Sequence, residues 1–254
     1  MPREIDSIDD GGVLPNIWTE QDSSDFLRFG VAFVPDRDTQ HRLISGIVKK
    51  SLKNGRILEL CCGAGDLAKR ILDENPTINL EVMDDSPAML DSAGRLCEPH
   101  ARRFSSFRSN LTRSDLLEGR SGLDTILSSL AIHHLDDEQK QRLFKQIFGA
   151  LRPGGIFVYA DMTMPATEFG LEIAAQQWEE AVQERSLSLY GDGRAVHGFN
   201  SLEWNYYLDP AGDPSDKPAN LAAILEWLRE AGFSDIEIHW LKAAHVLLSA
   251  KRSE

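Results

Sequence analysis

Residues Ile57-Leu58-Glu59-Leu60-Cys61-Cys62-Gly63-Ala64-Gly65-Asp66-Leu67-Ala68 constrain the fold more than any other part of the chain. A short apolar run enters a loop with two glycines, and residues of helical character follow. Glycine permits backbone angles that other residues resist and lets the main chain approach a ligand closely. Around this segment, short apolar runs alternate with helical patterns. Strands are expected at 56–60, 80–84, 103–111, 124–130 and 155–160, with helices at 66–73, 86–97 and 136–151 between them. Ser86-Pro87 sets a capping hydroxyl before a proline at the first helical position. Asp136 with Gln139 three residues on has the form of a capping box, and Arg152-Pro153-Gly154-Gly155 is read as the turn into the next strand. Strands alternating with helices in this way predict an α/β fold, with a parallel sheet and right-handed crossovers.

The flanks depart from that rhythm. From Trp18 to Phe33 the aromatics Trp18, Phe26, Phe29 and Phe33, with a cap at Asp22 or Ser23, are read as a short helix or two, and residues 39–52 place Leu43, Ile44, Ile47 and Val48 at helical spacing. After a helical piece at 168–184 comes a polar, glycine- and proline-rich stretch with Tyr190, His197, Phe199, Trp204, Tyr206 and Tyr207. The regular pattern returns at Leu221, Ile224, Leu225 and Leu228. Ile236, Ile238 and Trp240 then alternate with polar residues, and an antiparallel hairpin turning near Leu241-Lys242 is expected to close the sheet. The division expected is an N-terminal cap (1–40), a cofactor-binding core (41–161), a lid insertion too long for a plain connection (162–219), and the end of the core (220–254).

Charge and cysteine content exclude several partners. With 27 basic and 40 acidic residues the net charge is −13, which disfavours a phosphate backbone as the bound surface. No apolar run approaches the roughly 18 residues of a membrane-spanning helix, and the acidic start, Met1 to Asp6, lacks the apolar core of a secretory signal. Three cysteines, two of them adjacent at Cys61 and Cys62, fit a reducing cytoplasm. No His, Cys or acid cluster shows metal-ligand spacing, so no metal is expected.

Two cofactors compete for the glycine loop. Gly63-x-Gly65-x-x-Ala68 matches the dinucleotide fingerprint, and Asp84 follows at about the twenty-residue distance of a ribose-binding acid. A pyrophosphate, however, would meet Glu59 and Asp66 where it needs the positive end of a helix. Those carboxylates suit a cofactor carrying a sulfonium and an ammonium. Glu59-x-Cys61-x-Gly63-x-Gly65 resembles the acidic-x-Gly-x-Gly-x-Gly loop of class I S-adenosylmethionine-dependent methyltransferases, with Cys61 at the first glycine. Asp84, within Val82-Met83-Asp84-Asp85-Ser86-Pro87, is similar to the family's ribose-binding acid. Asn110-Leu111 resembles the adenine position, with Asp115 as the alternative. Ala131-Ile132-His133-His134-Leu135 and Leu151-Arg152-Pro153-Gly154-Gly155 resemble the later strand ends.

The resemblance covers about 40–161 and, more loosely, 220–250. It implies a Rossmann-like, seven-stranded, mostly parallel sheet with a C-terminal antiparallel hairpin. S-adenosyl-L-methionine would be the cofactor, contacted by Glu59, Cys61, Gly63, Gly65, Asp84, Asp85, Asn110, Leu111 and Ser129. Ligands of such sheets lie outside the carboxyl ends of strands. His133 and His134 are therefore catalytic candidates, each as readily a pocket wall as a base, and Trp18, Phe33, Asp161, His197, Trp204 and Tyr207 are candidates for contact with a small-molecule acceptor. In-line alignment can supply roughly 7–11 kcal/mol, against about 10²–10⁴-fold for a base, so losing a single histidine should slow the reaction rather than abolish it. The competing readings are tRNA modification or carboxy-S-adenosylmethionine synthesis on the same fold, a non-catalytic S-adenosylmethionine-binding regulator, and a dinucleotide oxidoreductase.

Overall fold

The computed structural model describes residues 20–51, 55–212 and 215–253. Seven strands form one sheet: β1 (Gly55–Leu60), β2 (Ile78–Asp84), β3 (Phe104–Arg108), β4 (Leu123–Ser129), β5 (Leu151–Met162), β6 (Phe233–Lys242) and β7 (His245–Arg252). Their spatial order is β3-β2-β1-β4-β5-β7-β6. Neighbours from β3 to β5 pair in parallel, and β7 runs antiparallel to both β5 and β6. The order reverses between β1 and β4, which opens a crevice beyond their carboxyl ends.

The helices are α1 (Glu20–Phe33), α2 (Arg37–Ser51), α3 (Asp66–Glu74), α4 (Pro87–Leu96), α5 (Asp137–Ala150), α6 (Glu168–Tyr190), α7 (Arg194–Ser201) and α8 (Leu221–Glu230). Local chemistry starts several of them. Ser86 Oγ accepts from the Met89 N–H ahead of α4, Asp136 and Gln139 form the reciprocal capping box of α5, and Thr167 and Asn220 cap α6 and α8. Alternation along β1 sends Leu58 and Leu60 into one core with Leu143, Phe144 and Ile147 of α5 and Ile224 and Leu228 of α8. Ile57 points the other way, into a core with Ile44 and Val48 of α2 and Leu67, Ile71 and Leu72 of α3. A strand covered on both faces needs this near-continuous apolar composition. A third core joins α1, α6 and α7 through Phe33, Trp178, Val182, Phe199, Tyr206 and Tyr207. Among the described residues, no helix is long and apolar enough to cross a membrane.

Several expected boundaries move. The third strand is 104–108 rather than 103–111, because the chain after Arg108 is drawn into a loop by Asn110. The stretch 152–155 is no free turn: β5 already pairs at Leu151 with Leu123, and a register shift absorbs the extra residues around Gly154. Helix α6 continues beyond 184 to Tyr190. The C-terminal hairpin turns at Ala243-Ala244, not at Leu241-Lys242. Both alanines have positive φ (49° and 52°), as a two-residue hairpin loop of this hand demands. Asn-Gly would advertise such a turn in sequence, and Ala-Ala does not. Tertiary contacts hold it instead: Gln177 Oε1 accepts from the Ala243 N–H at 3.1 Å, and the Ala244 carbonyl accepts from the Thr163 N–H and Thr163 Oγ1, each at 2.8 Å.

Candidate active site

The crevice holds a cavity of about 310 Å³ whose walls include Glu59, Cys61, Gly63, Asp84, Asp85, Asn110, Leu111 and Ser129. Of the nine residues expected to contact the cofactor, the structure brings these eight together. Gly65 lies just behind the wall. At φ 90° a Cβ there would stand 2.6 Å from the Ala93 Cα, so this glycine lets the loop close onto α4. Gly63, at φ 52°, has nothing within 4 Å of the equivalent position and opens toward the cavity. Cys61 adopts the same left-handed backbone, at φ 54°, without being glycine.

Carboxylates order the loop. Asp84, at the end of β2, accepts from the Gly63 N–H at 2.9 Å and the Ser86 N–H at 3.0 Å. Asn110 Nδ2 donates to Asp85 Oδ2 at 2.8 Å, while Asn110 Oδ1 accepts from the Thr112 N–H and Oγ1. Asn110 thus pins the loop after β3 against β2. Between the two alternatives for the adenine position, Asn110 is in the cavity wall; Asp115 is half-exposed, paired with Arg113, and outside it.

Glu59 is buried at 2% exposure, and its Oε2 has no hydrogen-bond partner among the described residues. Burial raises its pKa to about 8; Arg37 opposes the rise, and Asp84 and Asp66 add to it. Arg37, at the start of α2, donates to Ser129 Oγ at 2.7 Å. Its own pKa falls to about 10 because burial outweighs Glu59 and Asp66. The cavity therefore sets a guanidinium beside an orphaned carboxyl, a donor set that fits a ligand end bearing both a carboxylate and an ammonium. Arg37 was not among the expected residues. It follows Pro35 and Asp36 in a helix start, with no spacing to mark it.

A second cavity, of about 300 Å³, adjoins the first across Phe26, Leu130 and His134, which line both. Its walls also include His133, Met162, Trp178, Trp204 and Asp216. Leu130, at φ 58°, stands where the walls meet. His133 follows β4 in a turn of 3₁₀ helix (Ile132–His134). Its Nδ1 lies 2.5 Å from Asp161 Oδ1, and Asp161 Oδ2 accepts from the Ile132 and His133 N–H groups at 2.9 and 3.2 Å. Asp161 is fully buried at the end of β5. Its pKa is nevertheless lowered, because His133 and the Met162 N–H outweigh desolvation. Burial works against charge on His133, but Asp161 and Asp216 push its pKa up to about 10.

The residues expected to meet an acceptor separate. Trp204 lines the second cavity. Asp161 acts on His133 from behind. Phe33 is fully buried under Trp204, with ring centroids 5.2 Å apart, and Tyr207 is buried with its hydroxyl donating to the Thr163 carbonyl at 3.0 Å. Both belong to the third core rather than to a cavity wall. His197 faces solvent on α7, and Trp18 lies outside the described residues. No cluster shows metal-ligand spacing in the sequence, but the fold gathers one from separate segments. His133, His134 and Asp216 bring one ligand atom each within 4.8 Å of one another. Asp216 comes from a polar loop distant in sequence, so no motif spacing could reveal the group.

A family model described as a methyltransferase domain matches residues 58–157. A curated relative, tRNA N(3)-methylcytidine methyltransferase trm141 of Schizosaccharomyces pombe, is 28% identical over 107 residues, covering 41% of this chain and 43% of that protein. Among solved structures, an O-methyltransferase family protein of Burkholderia thailandensis superposes with a TM-score of 0.58 at 17% identity, covering 85% of this chain and 58% of its own. A structure of PigF with SAH gives 0.51 at 17% identity, covering 78% and 50%. The chain thus spans about half the length of these relatives.

Proposed function

Since a methyltransferase domain model matches residues 58–157, we propose that the chain is a class I S-adenosylmethionine-dependent methyltransferase that transfers the methyl group of that cofactor to a small neutral or cationic acceptor held in the second cavity. The observation that carries this reading is the pair of adjoining cavities outside the carboxyl ends of β1 and β4, one lined by Arg37 and the buried Glu59 and the other open beside it. Bound S-adenosylmethionine supplies an electrophilic methyl on a cationic sulfur. Gly63 and Asp84 would shape its berth, Arg37 would hold its carboxylate, and Glu59 would hold its ammonium. Phe26, Leu130 and His134, at the shared wall, align acceptor with methyl and exclude water, which is where most of the barrier reduction arises. His133, fixed by Asp161, and His134 line the acceptor cavity, where they orient the acceptor's nucleophilic atom.

The acceptor's character follows from the walls. Trp178, Trp204 and Met162 offer apolar surface; Asp25, Glu203 and Asp216 bring acid, and no lysine or arginine is among the described lining residues. An anionic acceptor would meet these acids, and the charge on His133 is already matched by Asp161 and Asp216. The tRNA methylation for which the Schizosaccharomyces relative is named is the second reading, and the −13 charge weighs against it. The unpaired cysteines fit a cytoplasmic enzyme. Calorimetry with S-adenosylmethionine, followed by transfer of labelled methyl to panels of amines, phenols and tRNA, tests the proposal. Cofactor binding with label appearing in a small amine or phenol is expected; label in tRNA alone would overturn the acceptor assignment, and no binding would overturn the whole.

Glu59 gives a sharper check. A carboxyl with its pKa near 8 is mostly protonated at pH 7, and pairing with an ammonium forces the proton off. Cofactor binding at pH 7 is expected to release close to one proton, visible as an enthalpy that changes with the buffer's ionisation heat. Glu59→Gln should erase that dependence. The sign for stability runs the other way: with a folded pKa above the ordinary 4.5, the ligand-free fold loses stability as pH rises from about 4.5 to 8. A buffer-independent enthalpy would remove Glu59 from the ammonium site.

A further inference from the structure

We propose that His133, His134 and Asp216 form a binding site for one divalent transition-metal ion on the wall of the acceptor cavity. The inference deepens the role given above to the two histidines and rests on the second cavity being the acceptor site. Asp216 Oδ1 lies 3.4 Å from His133 Nε2 and 3.0 Å from His134 Nδ1. Atoms bound at about 2.1 Å to a common ion, at angles between right and tetrahedral, are separated by about 3.0–3.4 Å. Two imidazole nitrogens and one carboxylate oxygen are a donor set of intermediate softness, suited to zinc, cobalt, nickel or iron(II) rather than to magnesium or calcium.

The surroundings are built as metal sites are built. Asp161 takes the Nδ1 side of His133, which leaves Nε2 as the ligand atom and fixes the ring, the carboxylate–histidine arrangement found behind metal ligands. Asp216 is held by its neighbours. The Lys217 N–H donates to the His133 carbonyl at 2.8 Å, and Lys140, fully buried, donates through Nζ to the carbonyls of Leu135 and Lys217. These bonds tie the loop carrying the third ligand to the turn carrying the first two. Three protein ligands leave positions open, and the adjoining space of about 300 Å³ lets them face an acceptor. An oxygen or nitrogen of the acceptor bound there would be oriented toward the methyl and more easily deprotonated. The class of acceptor implied is one with a metal-binding hydroxyl, phenol or amine.

The test uses the 254-residue chain freed of metal with a chelator and titrated with Co²⁺, followed by its visible absorption, with bound metal counted after dialysis. One equivalent of Co²⁺ with ligand-field bands is expected. His134→Ala and Asp216→Asn should each weaken binding at least 100-fold, and Asp161→Asn, which leaves all three ligands in place, about 10–100-fold. Calorimetric affinity for S-adenosylmethionine serves as the control. It should be unchanged in Asp216→Asn and with or without Co²⁺, so failure of the metal site and failure of the methyltransferase reading are told apart. No ligand-field bands with one equivalent of Co²⁺, or equal retention by the variants and the parent, would overturn the proposal.

Discussion

Replacing Gly65 with alanine is expected to damage the fold, whereas replacing Gly63 with alanine is expected to spare the fold and damage cofactor binding. The two glycines are separated only by Ala64, and both have positive φ. At Gly65 the new Cβ would meet the Ala93 Cα at 2.6 Å and its Cβ at 2.8 Å, and φ is 90°. Backbone must move to relieve such contacts, so overpacking and backbone strain together should cost about 2–4 kcal/mol. For a domain of this size that lowers the melting temperature by roughly 5–15 °C. At Gly63 the φ of 52° is one that alanine adopts for about 1 kcal/mol, and nothing stands within 4 Å. The added methyl occupies space facing the cavity, so affinity for S-adenosylmethionine should fall at least 10-fold with a small change in melting temperature. Thermal unfolding and calorimetry on the two variants separate the effects. Unchanged affinity in Gly63→Ala would mean that the cofactor does not lie against this loop.

Asp161 carries the second large effect. Its carboxylate serves His133 Nδ1 and the backbone N–H groups of Ile132, His133 and Met162, all in a fully buried position. Asp161→Ala strands those donors and is expected to cost about 3–5 kcal/mol, the range for breaking a buried ion pair by removing one partner. Asp161→Asn keeps the shape but loses the charge and offers an N–H where His133 needs an acceptor. We expect it to fold, to bind the cofactor within about twofold of the parent, and to turn over about 10–100-fold more slowly. Comparing kcat with KM settles the role. A loss confined to kcat marks Asp161 as the residue that positions His133, while a lower melting temperature with unchanged kcat would make it a structural acid only.

The parts of this protein that proved legible in its sequence have local causes. A strand end, a loop that needs left-handed backbone and a helix start with its cap are each set within a few neighbouring residues, so Gly63, Gly65, Asp84 and the capping pairs could be placed before any tertiary contact was known. The aromatic candidates were harder. Phe33, Tyr207 and Trp204 look alike as apolar residues in an irregular region, yet Phe33 and Tyr207 fill the third core and Trp204 faces a cavity. His197 sits two positions before the buried Phe199 on α7, and that rotation about the helix axis turns it to solvent.

Arg37 and Asp216 left no mark at all in the order of residues. Each comes from a helix start or loop whose place is fixed by what packs beneath it, α2 against α3 and the 215–217 stretch against Lys140 and His133. The order of residues by itself determined the α/β alternation, the cofactor loop and the acid at the end of β2, because short-range sterics and hydrogen bonding decide those features. Only the tertiary structure decided which charges meet Glu59, which aromatics line the second cavity and which carboxylates flank His133. Those pairings join segments far apart in the chain, and only packing around the sheet can bring them within bonding distance.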